Sequence, residues 1–241
     1  MTLKHDRLFP IFVRKGRSPR SALAGYIDLV GTVVVEPRYE IAYPFREGLG
    51  SVMVDHLWGA LNSLGELVIR PSSQGALVFT NGLSTYRERE KEGVIDCHGT
   101  IVIPPRYRSV SHYSGGLACV AAVGEQYGYV DKNGYQVIPP FFEDARAFSE
   151  GLAAVKLGGK WGYVDASGNS VIPAKFDCDS AMAGPFRSGL ARVSENGKWG
   201  YINCHGEFVI PAQFDMALEF SEDLGKVRVG DKYGIRMSEV A

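Results

Sequence analysis

A glycine returns along this chain at Gly25, Gly59, Gly93, Gly128, Gly162, Gly200 and Gly234, at intervals of 34, 34, 35, 34, 38 and 34 residues. A near-constant spacing of this kind is the mark of a repeat architecture, and it restricts the fold more than any other feature. The clearest pair of copies is GKWGYVDASGNSVIPAKF at 159–176 and GKWGYINCHGEFVIPAQF at 197–214, identical at eleven of eighteen positions. Other residues keep the same register. Asp or Asn stands three places after the glycine (Asp28, Asn62, Asp96, Asp131, Asp165, Asn203), and a second glycine six places after it (Gly31, Gly65, Gly99, Gly134, Gly168, Gly206). A Val/Ile pair and a proline follow. Next comes an aromatic (Phe45, Phe79, Tyr113, Phe148, Phe186, Phe220), and four residues later a leucine with a small residue behind it, as in Leu152-Ala153.

Each recurrent residue has a physical reading. D-x-x-G between two β-rich runs predicts a hairpin turn: the Asx side chain bonds a nearby backbone N–H and the glycine takes positive φ. The flanking runs, Trp161 to Asp165 and Ser170 to Ile172 in the best copy, have strand composition and length. Proline after Val-Ile is expected to stop the ladder, since it has no N–H to give. The Leu-small-x-Val run supplies a third strand. Each repeat therefore reads as three short antiparallel strands, Leu-small-x-Val, Trp-Gly-Tyr-x-Asp and x-Val-Ile-Pro. No segment has a useful helical period. One such repeat cannot cover its own apolar faces and must stack on its neighbours. The expectation is an all-β chain, a single domain over 1–241, with six stacked units in an open twisted array. Residues 1–24 form an N-terminal half-repeat and 234–241 a C-terminal partial one. A closed propeller-like ring is the second choice, because propeller blades use four strands and about 40 residues.

Composition narrows the function classes. Glycine is abundant, 29 of 241 residues, which fits many turns. The formal net charge is −1, so no global field draws the chain to nucleic acid or an anionic membrane. No apolar run has the length of a signal sequence or a membrane span. Cys97, Cys119, Cys178 and Cys204 include no C-x-x-C pair. A cytoplasmic protein is expected.

The combination KWGYVD, G, VIP, F and F-S-E-G-L-A-x-V resembles the bacterial WG repeats, over about residues 20–236 and most fully at 147–176. The repeat anchored at Gly59 departs furthest, with Trp58-Gly59-Ala60, Val68-Ile69-Arg70-Pro71 and Ser-Ser-Gln-Gly-Ala at 72–76. The resemblance implies a β-rich repeat that serves as an interaction module, either appended to other domains or alone. It carries over no catalytic residue.

Chemistry-bearing constellations are sparse. Cys97-His98 and Cys204-His205 share one turn position, but the equivalent positions hold Lys132-Asn133 and Ala166-Ser167, so they read as turn residues and no metal is expected. His112 precedes Cys119 by seven residues, and both are expected to be ordinary strand and turn residues. The sequence has no phosphate-binding glycine loop, no H-E-x-x-H and no G-x-S-x-G. The row Trp58, Tyr127, Trp161, Trp199, Tyr233, with Tyr26, Tyr129, Tyr163 and Tyr201, is expected to pack between repeats rather than stack on sugars or bases.

Function is expected where the repeats differ. The first such place is the alternating run Tyr86-Arg87-Glu88-Arg89-Glu90-Lys91-Glu92. The second is the four-residue lengthening within 179–185, with Met182 and Pro185 as candidate contacts. A basic stretch lies at Arg14–Arg20. The chain is expected to be a non-enzymatic scaffold without cofactor that binds another protein, a toxin neutralised in the cytoplasm being one such partner. The alternatives are a glycan or cell-wall binding module and an enzyme with a cryptic site.

Overall fold

A computed structural model describes residues 8–14, 22–122, 124, 126–178, 182–220 and 224–237. Among them there is no helix. The chain divides into two compact units, Met1–His112 and Tyr113–Ala241. The first holds three antiparallel sheets, built on Phe9–Arg14, Ala22–Ile27 and Val33–Tyr39, then on Gly50–Val54, Leu57–Leu61 and Leu67–Ser73, then on Leu83–Glu88, Lys91–Asp96 and Ile101–Tyr107. The second holds four, three of them centred on Tyr127–Asp131, Lys160–Val164 and Lys198–Ile202; the fourth contains Leu224–Val229 and Lys232–Met237. No sheet closes on itself; each is an open ribbon of three or four strands. The fourth strand, where present, is a two-residue piece such as Asp144–Ala145, an element too short for the sequence to announce.

The predicted turns form as expected. In all six, the Asp or Asn Oδ1 accepts the N–H groups two and four residues on; Asp165 holds Ser167 and Asn169, each at 2.9 Å. The turn glycines have φ between 80° and 87°. This turn glycine also lies on the neighbouring repeat. A Cβ on Gly168 would stand 3.2 Å from Ile138 Cγ1, and one on Gly206 would stand 2.8 Å from Ile172 Cγ2. Gly168→Ala therefore combines a left-handed backbone with crowding, and should cost about 1–2 kcal/mol by urea unfolding.

Proline behaves differently from the sequence expectation. The third strand does not end there. It runs on through Pro173 to Phe176, and through Pro211 to Phe214. Trp161 faces Phe176 and Tyr163 faces Ile172, so the pair Trp161–Tyr163 is opposed by residues 172–176. The excess residues form a bulge, and a bulge is where a strand accepts a residue without an N–H. The glycine that defines the repeat is explained by this bulge. A Cβ on Gly25, Gly59, Gly93, Gly128, Gly162 or Gly200 would lie 2.1–2.6 Å from the carbonyl oxygen of the Val or Ile before the bulge. No side chain fits there. The divergent copy obeys the same rule: Leu67–Ser73 carries Pro71 in the bulge and keeps the register Trp58↔Ser73, Ala60↔Ile69. Ser73, fully buried where other copies have an aromatic, is satisfied by Gly75 and by the Arg87 N–H.

Within each unit the repeats are joined by tyrosine. Tyr26, Tyr129, Tyr163 and Tyr201 are buried, and each donates its hydroxyl to a carbonyl ahead of the next repeat's aromatic, at 2.6–2.8 Å (Tyr43, Arg146, Gly184 and Leu218). Each ring meets that aromatic edge-on, with centroids 4.6–4.9 Å apart (Phe45, Phe148, Phe186, Phe220). This contact explains the small residue after the leucine: a Cβ on Gly225 would touch the Tyr201 hydroxyl at 2.8 Å. Trp58, Trp161 and Trp199 are buried as expected; Tyr127 is half-buried and Tyr233 is 61% exposed, so the last member of the row stands outside the core.

Candidate protein-binding site

The alternating-charge run forms the same regular hairpin as its sibling repeats, so the place where the sequence differs most keeps the common strand pairing. Leu83–Glu88 pairs with Lys91–Asp96, and Tyr86 faces Gly93 as Val52 faces Gly59. Tyr86 is 6% exposed, so it belongs to the core and is not available to a partner. Glu92 takes the position that Trp161 and Trp199 hold in their repeats. It is kept there by Arg87 and by the Val110 N–H, which it accepts at 2.8 Å. Arg87, Glu88, Arg89, Glu90 and Lys91 are exposed.

The tip of this hairpin is strained. Arg89 and Glu90 have φ of 48° and 64°. A two-residue hairpin loop with both residues left-handed favours Asn-Gly or Gly-Gly. The equivalent tips obey that preference with Gly158-Gly159 (φ 59° and 75°) and Asn196-Gly197 (φ 52° and 73°). In the first unit Asp55-His56 also departs from it, with φ of 49° and 62°. These tips are held by acceptors from the preceding loop. Glu40 takes the His56 N–H, Gln74 the Glu90 N–H, Glu143 the Gly159 N–H and Asp177 the Asn196 N–H, at 3.0–3.4 Å.

In the second unit Met182 is exposed and Pro185 half-buried. Residues 179–181 of the lengthened loop lie outside the described residues, as do 15–20 of the basic stretch. Behind Pro185 a side-chain exchange fills one space. Arg146 crosses Ala154's strand to lie over Trp161, with its guanidinium 5.9 Å from the ring centre. One repeat later Gly184 stands in Arg146's place, and Arg192, in Ala154's place, covers Trp199 at 5.2 Å. The strand pairing recurs while the cation changes sides. Nearby, a groove of about 520 Å3 runs over Phe186 and Phe220, walled by Ser149, Glu150 and an Arg187–Glu219 ion pair.

The titratable groups that shift do so for structural reasons. Burial raises the hydroxyls of Tyr26, Tyr129 and Tyr163 well above 10, and that of Tyr201 to about 12. Burial also pushes the Cys119 thiol up to about 12 and raises Cys178, the reverse of what a nucleophilic thiol needs. Four aspartates are held below 3.8. The Asn169 side chain and turn amides lower Asp165, Lys160 lowers Asp177, and Lys198 lowers Asp215. For Asp96 slight burial opposes the shift, and the Thr100 and His98 amides outweigh it. A lowered carboxyl stabilises the fold above its unfolded pKa and loses that contribution as pH falls through the folded value. The raised tyrosines stabilise below about 10 and lose this as pH rises. The urea midpoint should accordingly fall below about pH 4 and again above about pH 10. Asp165→Asn and Asp177→Asn together should flatten the acid limb. No group of three or more potential metal ligands occurs among the described residues.

These features define a tandem β-repeat protein whose recurrent residues maintain the stack. A family model described as WG containing repeat matches residues 25–57, 58–91, 93–121, 127–161, 161–199 and 199–233, and the chain belongs to that family. No curated protein matches the sequence. Among solved structures, the computationally designed Ika8 protein has a TM-score of 0.53 at 12% identity, covering 90% of this chain and 77% of that one. Hsv2 from Kluyveromyces lactis follows at 0.46 and 10% identity (79% and 71% covered). BamB from Moraxella catarrhalis gives 0.38 and 8% (94% of each). At these identities the likeness to Ika8 concerns the fold alone.

Proposed function

We propose that this chain is a protein-binding scaffold whose stacked repeats hold variable tips toward a partner, and that the tip Arg87–Lys91 is one docking element. The observation that carries this reading is the strain at Arg89 and Glu90. Non-glycine residues in the left-handed region cost about 1 kcal/mol or more each. Sibling tips in the second unit lower that cost with Gly158-Gly159 and Asn196-Gly197, while Asp55-His56 in the first unit shares it. Side chains kept at a cost to stability, exposed and charged, are side chains with a use outside the fold. A cytoplasmic inhibitor of a toxin is the finer role to test. The glycan alternative is weaker, because Trp58, Trp161 and Trp199 are buried and offer no platform.

The double change Arg89→Asn, Glu90→Gly separates fold from use. It should raise stability by about 1–2 kcal/mol while weakening capture of the partner from the native host, read by quantitative mass spectrometry. Stabilisation with undiminished capture would remove the tip from the interface. Co-sedimentation with cell wall and no stoichiometric protein partner would overturn the scaffold reading itself.

A further inference from the structure

Left-handed two-residue turns leave the N–H groups of their central residues without a partner inside the turn, and paired N–H groups of this kind form a small anion-binding concavity. This chain fills several such concavities with its own acceptors, mostly carboxylates. At the hairpin tips Glu40, Glu143, Asp177 and Asp215 supply them, the last accepting the Gly230 N–H at 2.6 Å. A second series of tight turns lies between each aromatic and its leucine: 46–49, 80–83, 114–117, 149–152 and 187–190. Each is closed by reciprocal backbone bonds between its first and fourth residues. In this series 80–83 and 187–190 take a carboxylate from the repeat before, while 46–49 and 149–152, which carry Glu47 and Glu150 themselves, take none among the described residues. Glu47 grips Asn81 and Gly82 through both oxygens, at 2.7 and 2.8 Å, and Glu150 accepts the Gly189 N–H at 2.9 Å.

The turn Ser114-Gly115-Gly116-Leu117 has the same backbone, with φ of 60° and 82° at its glycines. Among the described residues no acceptor faces the N–H of Gly115 or Gly116. Both glycines are exposed and bring no side chain to obstruct approach. Ser114 is committed elsewhere, donating its hydroxyl to the Phe148 carbonyl at 2.6 Å. We infer that the Gly115–Gly116 amide pair is a receptor for a carboxylate supplied by a partner protein, an Asp or Glu side chain entering as Glu47 enters the Asn81–Gly82 turn. The ligand chemistry is read from the molecule itself, which places a carboxylate on the same backbone atoms in a sibling repeat. The inference rests on the scaffold reading and adds to it the chemistry of one contact.

The test is a titration of the full chain with glutarate, followed by amide NMR, with a diamine of equal length as control. A two-hydrogen-bond exposed contact predicts affinity on the order of millimolar. Gly115 and Gly116 should shift downfield together and saturably, while Asn81 and Gly82 stay still. Glu47→Gln should weaken the native occupant and bring Asn81 and Gly82 into the responding set. Absence of a Gly115–Gly116 response overturns the inference, as does an equal response to the diamine or one spread evenly over surface amides. A captured partner whose binding is indifferent to glutarate would sink this contact and leave the scaffold reading intact. Failure to capture any protein would sink the scaffold reading and with it the partner-supplied carboxylate, and a Gly115–Gly116 response to glutarate would then mark a small-anion site only.

Discussion

Gly162→Ala is expected to destabilise the protein by about 3 kcal/mol or more, an overpacking cost at the high end of its range because the obstacle is backbone. The added methyl would stand 2.5 Å from the Ile172 carbonyl oxygen and 2.7 Å from the Ala174 nitrogen. Both atoms belong to the bulged strand, so no rotamer change relieves the clash. That strand would have to lift, and its lifting breaks the register between Tyr163 and Ile172. A matched control exists in the same chain. Gly234 occupies the same repeat position, yet nothing lies within 4 Å of its Cβ direction. Gly234→Ala should therefore stay within about 0.5 kcal/mol of the parent. Equal effects at the two sites would refute the bulge as the cause of the glycine. Urea unfolding of both variants side by side decides it.

The second large effect is expected at the tyrosine that joins repeats. Tyr163 is buried, donates to the Gly184 carbonyl at 2.8 Å and meets Phe186 edge-on at 4.9 Å. Tyr163→Ala removes the ring from a closed site and should cost about 3–5 kcal/mol. Tyr163→Phe keeps the ring and strands one carbonyl, at about 1–2 kcal/mol. The ratio of the two separates packing from hydrogen bonding. In a stack, where stability is a sum over repeats and their interfaces, the alanine variant should also lose cooperativity within the second unit. Hydrogen exchange would show early opening on both sides of the broken contact. A single sharp transition with uniform protection would argue that the tyrosine does not couple its neighbours.

The sequence displayed the Asx-Gly turns plainly because their chemistry is local. Asp165 bonds amides two and four residues away, and Gly168 needs positive φ in its own backbone. The tight turns at 80–83 and 149–152 are also written locally, as Asn-Gly and Glu-Gly before leucine, beside the more regular aromatic and leucine that flank them. The proline was legible as a residue without an N–H and misread as a terminator. A bulge needs a facing glycine to fold against, and that glycine stands eleven or twelve positions earlier. The charged run at 86–92 concealed a core tyrosine for the same reason. Alternation of charge marks exposure along one strand, but the side that Tyr86 faces is fixed by its pairing with Gly93.

For the candidate contacts the division is sharper. Arg87 to Lys91 stood out by departure from the repeat, and that much was sequence. Strain at Arg89 and Glu90 is a property of backbone angles, visible only when sibling tips are superposed in register. The Gly115–Gly116 turn gave no signal, since two glycines between aromatic and leucine look like any loop. Its meaning comes from Glu47, which shows on another turn what such amides hold. By itself the sequence determined the repeat, its turns and its all-β character, because these depend on φ preferences and on side chains acting within a few residues. Only the tertiary structure decided which recurrent residue bears on which, because the close approaches of Gly162 to Ile172 and Tyr163 to Gly184 join strands and repeats that the chain itself keeps apart.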